Sequence, residues 1–227
     1  MKIGVLLSGC GVYDGAEIQE AVLTLLAIEE MGYEAICIAV DAPQHHVVNH
    51  ITGEEMLEQR NMMIEASRIS RGAIQEIRTV QPVDLDALVI PGGFGSAKNF
   101  TSWAFDGANA SILPEVKLLI VNLLNVGKPI VALCVSPVVL ALAMKDVAVS
   151  LNLSLGTSKE NSPFDIASFH EGVMHTGSTT EEKTSKEILI DHENKIICAP
   201  CYMMDASILE VRLNIQAALL ALKELVE

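Results

Sequence analysis

Cys134 stands where an apolar run, Ile130 to Cys134, meets Val135-Ser136-Pro137. A run that is apolar at every position reads as a short strand buried on both faces, as central parallel strands are. Serine followed by proline marks a helix start, because proline suits the first helical position. Val138 to Met144 then continues as an apolar helix. The cysteine is therefore expected at a sharp strand-to-helix turn. Such a turn lifts a side chain off the sheet edge and aims backbone N–H groups and the positive helix end at it, which favours a thiolate. It is the geometry of the hydrolase nucleophile elbow, with Cys in place of Ser. The alternative is a small buried hydrophobe, since free cysteine is among the most buried residue types.

A second candidate follows the first strand. Ile3 to Leu7 ends in the glycine-rich turn Ser8-Gly9-Cys10-Gly11, continued by Asp14-Gly15. A helix is expected from Ala16 to Glu30, with Ile18, Val22, Leu25 and Leu26 as its apolar face and Gly32 as its stop. Glu17 falls in the first turn. It is either an ordinary stabiliser of the positive helix end or a carboxylate at the carboxyl edge of the sheet, where α/β proteins place their sites. The glycines at 9, 11 and 15 lack GxGxxG spacing, which argues against a dinucleotide site.

Two further groups carry weaker signals. His45, His46 and His50 sit in a polar excursion over 41–55, but no other ligand cluster follows them, so they read as a solvated loop and no metal is expected. Cys198-Ala199-Pro200-Cys201 is a single CxxC, weak for zinc and open as a redox pair.

These side chains need elements to hold them. Strands at 3–7, 34–40, 85–90 and 130–134 alternate with helices, so the chain reads as α/β with the four strands as parallel neighbours and helices on both faces. Helices are expected over Glu54–Ser70, Pro114–Val126 and Ser207–Val226, and a short edge strand over Ile74–Val80. The stretch Ser96–Leu113, with Phe100, Trp103 and Phe105, reads as irregular. Val147 to Leu155 is strand-like, the chain is then polar to Thr184, and Ile188–Ile190 with Lys195–Ala199 forms a hairpin. Two adjacent glycines in Pro91-Gly92-Gly93 let backbone N–H groups approach a ligand closely.

Composition narrows the partners. With 15 Lys and Arg against 29 Asp and Glu, the formal net charge is −14, which argues against nucleic acid. The longest apolar run, over 129–144, is too short to span a membrane. Leu7-Ser8-Gly9-Cys10 resembles a lipoprotein cleavage box, but only Ile3 to Leu7 precedes it, too little for an export signal. Five cysteines, an odd number, then read as reduced thiols in a cytoplasmic protein.

The segments SGCGVYDGAEIQE (8–20), RNMMIEASRISRG (60–72), PGGFGSAKN (91–99) and LCVSP (133–137) together resemble the ElbB-type branch of the ThiJ/PfpI superfamily, over essentially the whole chain. The resemblance implies a flavodoxin-like three-layer sandwich with a central, mostly parallel sheet, of the class I glutamine amidotransferase-like kind. It implies one domain over 1–227, a homodimer and no cofactor. It makes Cys134 the nucleophile, Glu17 the carboxyl group that contacts its sulfur, and the Gly93 and Val135 N–H groups the oxyanion donors. The implied activity is conversion of glyoxal, and other small 2-oxoaldehydes, to the hydroxy acid without glutathione. The alternative is a thiol-based redox or stress-response protein in which Cys134 oxidises reversibly, because one low-pKa thiolate serves both. Two departures bear on the chemistry. Val135 stands where many members have His, and no late His-x-Glu occurs, so a glutaminase is not expected. His170 and His175 are the substitutes that the chain offers.

Overall fold

The computed structural model describes residues 1–147 and 149–226. Seven strands form the main sheet: β1 (Lys2–Leu6), β2 (Glu34–Ala39), β3 (Gln75–Glu76), β4 (Ala87–Ile90), β5 (Ile130–Leu133), β6 (Leu189–Asp191) and β7 (Ile196–Ala199). Their order across the sheet is β6-β7-β5-β4-β1-β2-β3. All pairs are parallel except β6 with β7. Every residue of β4, β5 and β7 is buried, which is why these strands are continuously aliphatic instead of alternating. The helices are α1 (Ile18–Glu30), α2 (Met62–Ile69), α3 (Phe94–Lys98), α4 (Trp103–Asp106), α5 (Pro114–Asn125), α6 (Pro137–Met144), α7 (Ile166–Met174) and α8 (Ile208–Val226). They make the three-layer α/β sandwich expected from the strand–helix alternation.

The chain leaves β1 toward β2 and later returns to build β4 and β5 on the other side of β1. This reversal is a topological switch point, and the crevice at the carboxyl ends of the strands there is where such sheets bind ligands.

Several elements differ from expectation. The helix over 54–70 is only α2. Ahead of it, Glu55–Met56 pairs antiparallel with Val47–Val48, and Asn61 starts the helix by accepting from the Ile64 N–H at 3.0 Å. The face of α1 is turned. Ile18, Val22 and Leu26 are 45, 47 and 41% exposed, while Glu20, Ala21, Thr24, Ala27 and Ile28 are buried. Small residues on the inner face let α1 lie close to the sheet and to α8, and that approach outweighs the larger apolar side chains. The edge strand at 74–80 shrinks to β3 followed by a 3-10 turn.

The stretch over 96–113 is not irregular throughout, since α3 and α4 form at its start; Phe100 and Trp103 are buried there, and Phe105 is exposed. Of the strand expected at 147–155, Asn152–Leu153 pairs with Thr179–Thr180; Ala148 lies outside the described residues. The stretch before Thr184, read as polar throughout, contains α7, whose Ile166, Phe169 and Val173 repeat at helical spacing behind the N-cap Asp165. Among the described residues, no helix is long and apolar enough to cross a membrane.

Candidate active site at Cys134

Cys134 does sit at the elbow. It follows β5 with φ of +56°, left-handed backbone that costs a non-glycine residue about 1–3 kcal/mol and persists only where its surroundings enforce it. The enforcement is visible on both flanks. The Cys134 N–H donates to the Ala199 carbonyl at 2.9 Å, and the Ser136 N–H to the Leu133 carbonyl at 2.9 Å. Ser136 does not cap α6 with its side chain; its hydroxyl donates instead to the Ile90 carbonyl at the end of β4, at 2.7 Å. The β4 and β5 turns are thereby tied together.

Opposite the thiol lies the Gly92-Gly93 turn. A Cβ on Gly92 would lie 2.4 Å from Cys134 Cβ and 2.8 Å from Cys134 Sγ, so only glycine lets the β4 turn approach the cysteine. The Glu17 N–H donates to the Gly92 carbonyl at 2.9 Å, which docks the start of α1 on the same turn. The N–H groups of Gly93 and Val135 both point at the Cys134 sulfur, the two donors expected from the resemblance.

The carboxyl group against the sulfur belongs to Glu20. Its side chain is fully buried and hydrogen-bonds Cys134. One of its oxygens accepts from the Gly92 N–H at 2.8 Å and the other from the Tyr202 N–H at 3.2 Å. Glu17, expected in that place, is the N-cap of α1. It accepts from the Glu20 N–H at 2.6 Å and lines the cavity in front of the thiol. One helical turn separates the two carboxyls, and the pose of α1 on the sheet sends one to the sulfur and the other to the cavity.

The electrostatics also differ from expectation. Burial, and then the nearby Glu17 charge, push Glu20 up to about 8. Burial raises Glu17 as well. Burial and the Glu20 carboxyl hold the Cys134 thiol well above the ordinary thiol range, against the opposing pull of the two N–H donors. The resting site at neutral pH is therefore a neutral thiol beside a protonated Glu20. The thiolate expected from the elbow alone does not form at rest, because desolvation inside an apolar pocket outweighs two N–H dipoles.

The cavity over the thiol is about 40 Å³ and is lined by Glu17, Gly93 and Val135 together with Phe94, Phe164 and Tyr202, among others. A water needs roughly 10–15 Å³ on the same measure, so the space suits a molecule of a few heavy atoms. Outside it, a wider vestibule of about 700 Å³ shares Phe94, Phe164 and Tyr202. No imidazole lines the inner cavity among the described residues. His170 is buried with Nε2 3.4 Å from the Leu155 N–H, and His175 closes α7. His50 Nε2 accepts from the Tyr13 N–H at 3.2 Å and its ring packs on Tyr13, while His45 packs on Phe105. No group of three or more metal-type side chains occurs among the described residues.

The two thiols of the CxxC diverge. Cys198 faces the Ser154 N–H, whereas Cys201, fully buried, faces the Cys134 N–H with Glu20 and Cys134 as neighbours. Glu20, Tyr202 and Phe164 escaped the sequence reading, and Cys201 was read there only as half of a CxxC pair with Cys198. Of the first three, only Glu20 left a signal there, as an acidic residue three positions after Glu17 with alanines and a threonine along the same helix face.

No protein-family model matches the chain. Curated relatives do. The human glutamine amidotransferase-like class 1 domain-containing protein 3, mitochondrial, is 33% identical over 208 residues, 91% of this chain and 76% of the human protein. The rat ES1 protein homolog, mitochondrial, is 33% identical over 225 residues, 99% of this chain and 84% of its own. Among solved structures, an Ehrlichia chaffeensis isoprenoid biosynthesis protein with an amidotransferase-like domain superposes with a TM-score of 0.90 at 32% identity, covering 100% of both chains. A ThiJ/PfpI domain protein from Brachyspira murdochii, at 14% identity and a TM-score of 0.58 over 98% of this chain and 96% of its own, shares the fold alone. The mitochondrial relatives overturn the expectation of a cytoplasmic protein. An odd number of cysteines speaks for free thiols and does not name a compartment.

Proposed function

This chain belongs to the family of glutamine amidotransferase-like class 1 domain and ES1 proteins, and from that premise we propose that it is an ElbB-type, glutathione-independent glyoxalase working at Cys134. The observation that carries the reading is a cysteine in an enforced elbow that opens on a cavity for a few heavy atoms, between two N–H donors and two carboxyls of raised pKa. Glutaminase chemistry has no such support, because no imidazole lines the cavity among the described residues.

In this reading the two carboxyls divide the work, as paired carboxyls in different environments do. The Cys134 sulfur adds to one carbonyl carbon of glyoxal, and the thiol proton ends on the new hydroxyl, giving a hemithioacetal. The Gly93 and Val135 N–H groups stabilise the negative oxygen as it forms. Glu20 exchanges the proton with the sulfur beside it. Glu17, which faces the cavity, takes the proton from the carbon bonded to sulfur and returns it to the neighbouring carbon, while the hydroxyl proton passes from the oxygen on the first carbon to the oxygen on the second. The product is a glycolyl thioester, and water releases glycolate and the thiol. One glyoxal and one water give one glycolic acid. The apolar side chains left exposed on the terminal helix α8, Leu209, Leu213 and Leu220, and on α1, Ile18, Val22 and Leu26, complete the proposal as the surfaces on which two copies pair.

The test is glycolate formation from glyoxal and from methylglyoxal lactate formation, with no added thiol. Cys134→Ala abolishes both. Glu17→Gln lowers turnover by about a hundredfold or more but leaves iodoacetamide labelling of Cys134 within about twofold of the parent, since Glu17 acts on carbon and not on sulfur. Glycolate formation that survives Cys134→Ala refutes the reading.

A further inference from the structure

Cys201 has no part in aldehyde turnover, yet it is held against the elbow with care. The parallel register sets Leu133 beside Ala199, with neighbouring strands about 4.8 Å apart. The two chains then turn off the sheet together, Cys134 one residue later and Cys201 two. Both residues adopt left-handed backbone, with φ of +56° and +46°. The Cys201 N–H donates to Asn214 Oδ1 at 3.0 Å, and Asn214 Nδ2 donates to the Glu187 carbonyl at 2.8 Å. Asn214 is a buried polar residue on α8, so its amide is spent on fixing this turn. Glu20 secures the next residue through the Tyr202 N–H. The result is a second buried thiol facing the Cys134 backbone, behind the wall of the cavity that exposes the first.

We propose that Cys201 is the resolving partner of Cys134, so that oxidation of the site thiol by a hydroperoxide ends in a Cys134–Cys201 disulfide. A peroxide reaches Cys134 through the cavity. The sulfur attacks one peroxide oxygen, the S–O bond forms and the O–O bond breaks, and the thiol proton leaves with the displaced hydroxide as water. Cys134 is then a sulfenic acid. The Cys201 sulfur attacks the Cys134 sulfur, the S–S bond forms and the S–O bond breaks, and the Cys201 proton leaves with the hydroxide as a second water. Two thiols have lost two electrons, and one peroxide has become two waters. Without a resolving thiol the sulfenic acid proceeds to sulfinic acid, which thiol reductants do not reverse. Cys198 plays no part, because its sulfur turns toward Ser154. The proposal requires Cys134 to be oxidisable and is independent of aldehyde turnover.

The experiment treats the folded protein with hydrogen peroxide at pH 8, followed by intact mass measurement and non-reducing peptide mapping. The expected result is a loss of about 2 Da, a cross-linked Cys134–Cys201 peptide, and return of iodoacetamide labelling after dithiothreitol. Cys201→Ala and Cys201→Ser gain about 32 Da at Cys134 and are not rescued by dithiothreitol, whereas Cys198→Ala behaves as the parent. Sulfinic acid at Cys134 of the parent with Cys201 still free, or a Cys198–Cys201 bridge, overturns the proposal. The parent's peptide map decides alone if the Cys201 variants do not fold.

Discussion

Replacing Glu20 by glutamine turns the buried carboxyl into a measurable change in the pH dependence of stability. In the folded protein Glu20 keeps its proton to about 8, against an ordinary 4.5. The unfolded chain gives that proton up above about 4.5. Between these values the folded state binds one more proton than the unfolded state, so stability falls as pH rises. At about 1.4 kcal/mol per pH unit, the loss reaches roughly 5 kcal/mol by pH 8. Glutamine cannot ionise, so the variant lacks this slope. It loses something else. Glu20 accepts from Gly92 and Tyr202 with one oxygen each, and glutamine has a single acceptor oxygen. One buried N–H is left facing an amide NH2, at about 1–3 kcal/mol.

The two stability curves therefore cross. Glu20→Gln is less stable than the parent at pH 5 and more stable at pH 8.5, with the crossing at roughly pH 5–7 from those two magnitudes. Urea unfolding at half-unit pH steps measures this, provided that fluorescence and circular dichroism give coincident transitions. The difference between the proteins removes the other titrations. Lowered His46 and His170 favour the unfolded state as pH falls through about 6.5, equally in both. Lowered carboxyls such as Glu182 lose their contribution below about pH 4.5, outside the range measured. Parallel curves for the two proteins would refute a buried, proton-holding Glu20.

Gly92→Ala is expected to disable the site and weaken the fold together. Its Cβ would sit 2.7 Å from Glu20 Oε2 and 2.4 Å from Cys134 Cβ, overpacking that costs about 1–3 kcal/mol; an unchanged thermal midpoint would contradict the close packing. Light scattering at micromolar concentration should give twice the chain mass, and Val22→Glu on the exposed stripe of α1 should give the monomer. A parent protein that is monomeric at those concentrations sinks the dimer.

What this sequence determined by itself was local. The apolar run into Val135-Ser136-Pro137 placed Cys134 at an elbow, because a buried strand, a turn and a proline-started helix are each written within a few residues. Gly92-Gly93 was legible for the same reason, and so were the four parallel strands. Tertiary structure decided the rest. Glu17 and Glu20 lie three residues apart at the start of α1, and only the docking of α1 by its small residues sends Glu20 to the sulfur, Glu17 to the cavity, and Ile18, Val22 and Leu26 to the surface. Phe164 and Phe169 reach the cavity from a stretch read as polar, because only the packing of α7 against the site brings them there. The thiols of the CxxC part because one lies on β7 and the other beyond it, on a left-handed turn. The charge state of Cys134 belongs to the same class. An elbow dipole is a property of neighbouring residues, but desolvation depends on everything packed around the sulfur, and here that surrounding apolar mass keeps the thiol protonated.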